Sequence, residues 1–248
     1  MKVPPYTLVR RIGSTRDEPL ARHPSHAQPV GLWDVSSQVG RLTDIIAILN
    51  DAQSDFAFFE LQAAVPAGLI SRPERVEEWA RELTGRERRK ERKDFRNNVI
   101  FEQFEERADT IRKGFGIDYL VGIVPSMVAS EDEINIYWNS FLFTRRRIML
   151  VSTYELRRYA HKAERSFEVA VASIVISSLL AAINPKLDFH EQTRGCLFDN
   201  NKKRPTIVRS LVNLMIEPAC LKLMKPKYRA VATAMVEALR TYQRASTP

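Results

Sequence analysis

In this chain of 248 residues, metal-type donors concentrate in His190-Glu191-x-x-x-Gly195-Cys196, followed by a lone Cys220. Imidazole nitrogen and cysteine sulfur are the donors that hold zinc, three or four to a site. Each member also has a plain structural reading: His190 as a hydrogen-bonded histidine, Cys196 and Cys220 as packed thiols, Gly195 as the residue of a tight turn. Asp199 suits a cap for the turn that follows, and Arg194 with Glu191 a local ion pair. His23 and His26 share a spacing that can bind metal, with no further ligand type beside them. Glu60 and Gln62, with Asp51 and Asp55 nearby, lack the acid, then acid-x-lysine order of nuclease carboxylates. GxxxxGK[ST], GxGxxG after a strand and GxSxG are all absent from the sequence, so it shows no signature of a phosphate loop, dinucleotide site or serine hydrolase.

The elements that must position the His/Cys stretch are partly readable. Val169–Ile183 is the most apolar segment and reads as a buried helix that breaks at Asn184-Pro185, just ahead of His190. Its length and its serines, Ser173, Ser177 and Ser178, keep it short of a bilayer span. Asp118–Val124 and Arg147–Ser152 read as buried strands, with Thr153 expected to cap a helix from Tyr154. Ile134–Trp138 alternates and suits a sheet edge; Phe56–Gln62 reads as an aromatic strand. Helices are expected over Leu32–Ala52, Arg75–Arg96 and Val99–Phe115, with a last amphipathic one carrying Tyr228, Val231, Met235, Leu239 and Tyr242. The mixed-sign run Arg86–Lys93 fits a solvated helix face. Residues 1–30, rich in proline, read as an arm or loop with a short strand at Tyr6–Val9, and 31–248 as one domain. The fold class expected is α/β (α+β): a single domain with a mixed sheet packed against helices.

Charge narrows the partners. From residue 201 onward ten basic residues face two acids, which accounts for the whole net charge of +8. A basic C-terminal helical region (201–248) suits nucleic acid, phosphate or an acidic protein face, or simply a solvated surface. The phosphate-binding candidates are Lys202, Lys203, Arg204, Lys222, Lys225 and Lys227. Two cysteines offer no disulfide scaffold, and Met1-Lys2-Val3-Pro4-Pro5 does not open a signal peptide, so a soluble cytoplasmic protein without a membrane is expected.

Placed through His190, the region resembles the archaemetzincin branch of the metzincins, whose pattern is HExxHxxGxxHCxxxxCxM followed further on by CxxC. His190 falls on the third zinc histidine and Cys196 on the cysteine of the CxM element. Leu180, Ala181 and Asn184 then stand where the first histidine, the glutamate and the second histidine belong, and Leu187 where the glycine does. Glu191 replaces the cysteine after the third histidine, and Phe198 the methionine. Only Cys220 answers the CxxC element, one residue late, with Glu217 where its partner would sit. The likeness spans residues 118–224 and implies a metzincin-like fold whose active-site helix has been refilled as core.

Leucine and alanine neither coordinate zinc nor accept a proton, so catalytic residues are not expected, and no cofactor either. His190, Cys196 and Cys220 remain as vestigial zinc candidates. The expected function is non-catalytic: a protein-binding subunit of an intracellular assembly, of prokaryotic defence type as one setting. A partner segment would be held by strand addition at Ile134–Trp138, with Trp138, Phe141 and Phe143 as anchors. The alternatives are a nucleic-acid accessory protein using the basic C-terminus and a hydrolase using unrecognised groups.

Overall fold

Apolar runs of β-branched and aromatic residues set the centre of the structure. Four such runs lie parallel: β1 (Gln28–Asp34), β2 (Phe56–Glu60), β4 (Tyr119–Val124) and β8 (Ile148–Ser152), joined at one edge by antiparallel β7 (Leu142–Arg145). The sheet order is β2-β1-β4-β8-β7. Side chains alternate between its two faces. Val30, Leu32, Phe56, Phe58, Val121, Ile123, Met149 and Val151 enter one core, while Trp33, Phe59, Leu120, Val124, Ile148 and Leu150 enter a second. Continuous apolar runs are what a parallel sheet buried on both faces requires. The chain is thus a single mixed α/β domain with a five-stranded mixed sheet packed against helices.

The computed structural model describes residues 26–36, 39–65, 99–131 and 136–242. The strand expected at Tyr6–Val9, His23, the charged helix at Arg75–Arg96, Ile134 and the Trp138 side chain lie outside the described residues.

On the first face lie α1 (Leu42–Asp51), α3 (Leu156–Lys162), the central α4 (Phe167–Ile183) and α7 (Pro226–Thr241), with the short α5 (Ile207–Asn213) and α6 (Pro218–Leu223) between. Every residue of α4 is buried except Ala181 and Ala182, and Ser166 starts it by accepting from the Val169 N–H at 3.1 Å. No single helix among the described residues is long and apolar enough to cross a membrane. The second face carries α2 (Phe101–Gly114) and a small sheet, β3 (Val99–Ile100), β5 (Val128–Glu131) and β6 (Ile136–Ser140). Phe104 of α2 packs so closely on Gly122 that any Cβ there would collide with the ring.

Three local readings change. Leu32 belongs to β1, not to a helix from Leu32 to Ala52; the helix proper begins at Leu42. Val30 to Trp33 is a buried strand between β2 and β4, so its apolar residues mimic the start of the helical stripe that follows. Thr153 does not cap the next helix with its side chain. Its hydroxyl donates to the Val124 carbonyl at 3.2 Å, and α3 begins at Leu156. β6 is an edge strand, but of the small sheet; the main sheet's edge beside α4 is β7.

Candidate functional site

Edge strand β7 and α4 form the sides of a cleft of about 390 Å³, closed by the loop after α4 and by α5. β7 contributes Leu142, Phe143 and Thr144; α4 contributes Ser173, Ile174, Ser177 and Ala181. Leu187 and Asp188 complete the floor. The serine hydroxyls donate back into their own helix, Ser173 to the Ala170 carbonyl at 2.8 Å and Ser177 to that of Ile174 at 2.9 Å.

The side of α4 that faces the cleft is not the one that carries Leu180 and Asn184. Leu180 is fully buried in the core. Asn184, also buried, donates to the Leu180 carbonyl at 2.8 Å and accepts from the Lys225 N–H at 2.8 Å, tying the end of α4 to the start of α7. Neither lines the cleft; Ala181 does. Ser177, Ala181 and Leu187 all line the cleft. Ser177 and Ala181, four residues apart, share one face of the helix. Serine, alanine and leucine cannot together hold a hydrolytic metal.

The expected anchors fare unequally. Phe141 is buried, edge-on to Tyr159 with ring centroids 6.2 Å apart, and so belongs to the cleft wall and not to an exposed patch. Phe143 is half-buried, 5.9 Å from the Phe101 ring. Arg204 is also removed from the phosphate-binding candidates. It is buried with its guanidinium 3.9 Å over Phe141, donating to the Ser140 and Tyr154 carbonyls, and burial lowers its pKa to about 10. Lys202 is exposed and paired with Glu191 at 2.8 Å, which stands in place of the Arg194–Glu191 pair expected. Arg194 instead meets Glu217 at 3.2 Å. Lys203, Lys222, Lys225 and Lys227 are exposed.

No family model matches this sequence, and no curated protein matches it either. Among solved structures, the chain is similar to a zinc-dependent peptidase from Methanocorpusculum labreanum. That likeness has 11% sequence identity and a TM-score of 0.45, covering 79% of this chain and 100% of the other.

Away from the α4 face of the cleft, the donors that the sequence singles out converge. His190 Nε2 is 2.8 Å from Cys220 Sγ, and the Cys196 and Cys220 sulfurs are 4.0 Å apart. All three donor atoms lie within 4.8 Å of one another. Backbone pairing brings them in. His190 N–H donates to the Phe198 carbonyl at 2.7 Å, and Leu197 N–H to that of Met215 at 2.8 Å. Gly195, at φ +88°, makes the turn before Cys196; a side chain there would meet both positive-φ strain and Asn213.

Asp199 is the hub of this turn, more than the simple cap expected of it. Its Oδ2 accepts from the N–H groups of Arg194, Gly195 and Cys196 and from the Ser210 hydroxyl, between 2.6 and 3.1 Å. Its Oδ1 faces His190 Nδ1 at 3.4 Å, neither atom has a hydrogen-bond partner, and Glu217 Oε2 lies 3.9 Å from the same Nδ1. Burial pushes both thiols up, Cys220 to about 12 with the neighbouring Cys196 adding to it. The missed signal was Asp199: nothing in its spacing announces a carboxylate set behind His190.

Proposed function

We propose that the chain is a non-catalytic metallopeptidase-like protein that binds an extended segment of another protein in the cleft between β7 and α4. The observation that carries this is the lining of the cleft, where Ser177, Ala181 and Leu187 offer no set of donors that could hold a hydrolytic metal. The cleft is lined by Leu142, Phe143, Ile174 and Leu187, and β7 is the last strand of its sheet among the described residues. An edge strand offers unpaired N–H and C=O groups to an incoming strand, while neighbouring apolar pockets select its side chains. The archaemetzincin resemblance supports the same reading.

Selection of extended peptides from a display library, followed by calorimetry, tests it. Wild type binds selected peptides without cleaving them, and Thr144→Pro, which removes one edge N–H, weakens binding at least tenfold. Failure to select any peptide, equal binding by Thr144→Pro, or hydrolysis of the bound peptides overturns the proposal.

A second reading is favoured by the exposure of Lys222, Lys225 and Lys227 at the α6–α7 turn. Such a patch would bind nucleic-acid phosphates without reading sequence, with affinity falling steeply as salt rises. Undetectable DNA and RNA binding at low salt removes it. A hydrolase using other groups is the third reading, tested by the same peptide assay with added metal.

A further inference from the structure

We propose that His190, Cys196 and Cys220 form a binding site for a soft divalent cation, zinc foremost, which clamps the loop after α4 to α6. None of the three donors lines the peptide-binding cleft, although Asp199 behind His190 does. Either reading can fail while the other stands.

Three observations meet here. The first is the donor set: one imidazole nitrogen and two sulfurs converge within 4.8 Å from positions 190, 196 and 220. Soft thiolates with imidazole select zinc over magnesium or calcium, which prefer oxygen. The second is the environment of Cys196 Sγ, which accepts backbone N–H groups from Phe198 at 3.5 Å and Glu217 at 3.4 Å. Backbone N–H groups aimed at a sulfur are contacts that a metal-bound thiolate keeps and that orient it, while burial holds the free thiol neutral. The third is the pair of unpartnered atoms behind the histidine. Nε2 points at the sulfurs, and Nδ1 faces the buried Asp199 Oδ1. A carboxylate behind a ligating histidine holds the proton on Nδ1, presents the Nε2 lone pair to the metal and raises its basicity.

Charge balance favours the loaded state. On binding, the two thiols release their protons to solvent, and two thiolates neutralise a divalent cation while the imidazole stays neutral. Water takes the fourth tetrahedral position. His190 is 14% exposed and both cysteines are buried, so the metal enters from the histidine side. Asp199 is a positioning residue in this scheme, acting through His190.

The test uses the full-length chain purified under reducing conditions, stripped of metal and titrated with zinc and with cobalt(II). Expected are about one metal per chain, a thiolate-to-cobalt absorption band, and a thermal midpoint that rises with zinc concentration. Cys220→Ser weakens uptake at least tenfold and lowers the thiolate band. Asp199→Asn weakens affinity roughly 10- to 100-fold in the wild type but changes nothing further in a His190→Ala background, because its effect passes through the ring. A reduced wild-type protein that takes up neither metal, or binds without a thiolate band, overturns the site. An Asp199→Asn effect that persists without His190 overturns the positioning role.

Discussion

The cleft and the His/Cys cluster are joined by one loop and differ in what each offers a metal. The cleft has the architecture, a buried helix beside an edge strand, but presents serine, alanine and leucine on its floor. The cluster sits off that helix, yet it keeps one imidazole and two sulfurs in range of one another, with Asp199 behind the ring. An apolar cleft in this fold therefore lacks a ligand set, and a ligand set gathers outside it. Residue identity decides the first and tertiary convergence the second.

The largest effect expected from breaking this contrast is at Asp199. Asp199→Ala strands three backbone N–H groups and the Ser210 hydroxyl in a buried turn. A cost of about 3 kcal/mol or more should appear in urea denaturation, since each unsatisfied buried donor costs about 1–3 kcal/mol. Next comes the register of α4. Leu180→Ala, in the core, should cost about 2–5 kcal/mol. Ala181→His, on the cleft side of the same helix, should stay within about 1 kcal/mol of wild type. Equal costs at the two positions would mean that Ala181 is packed as tightly as Leu180 and does not face the cleft.

A gain of function sharpens the comparison. Ser177→His with Ala181→His puts two imidazoles one helical turn apart on the cleft floor. Cobalt titration should then show one more equivalent than the wild-type chain, with no added thiolate band. The smallest effect belongs to Tyr159, against the cleft-wall residue Phe141. Burial, and then its hydrogen bond to Glu155, raises its pKa from the ordinary 10 to about 12. The folded state holds that proton more tightly than the unfolded chain, so the contribution is complete below pH 10 and is lost as pH rises towards 12. Tyr159→Phe should flatten the alkaline limb of a stability–pH profile over that window.

Much of the scaffold was legible because it is written in local pattern. β4, β8 and α4 are apolar runs of the right length, and the stripe Tyr228, Val231, Met235 and Leu239 marks α7. β1 was hidden because its apolar residues merge into the periodic stripe of α1, so one helix was read where a strand and a helix stand. The cleft face of α4 was hidden for the opposite reason. A helix buried on nearly every side has no polar stripe to distinguish Ala181 from Leu180.

By itself the sequence determined which chemistries have donors at all: four histidines, two cysteines and no motif for nucleotide or serine-hydrolase work. It also determined that the apolar helix offers no ligand along Val169–Ile183. Only the tertiary structure decided that Ser177 and Ala181 face the cleft, that Arg204 is buried over Phe141, and that residues 190, 196 and 220 meet. Residue type is a local property of the chain. A side chain's direction and its distant neighbours are set by packing between segments that the linear order keeps apart.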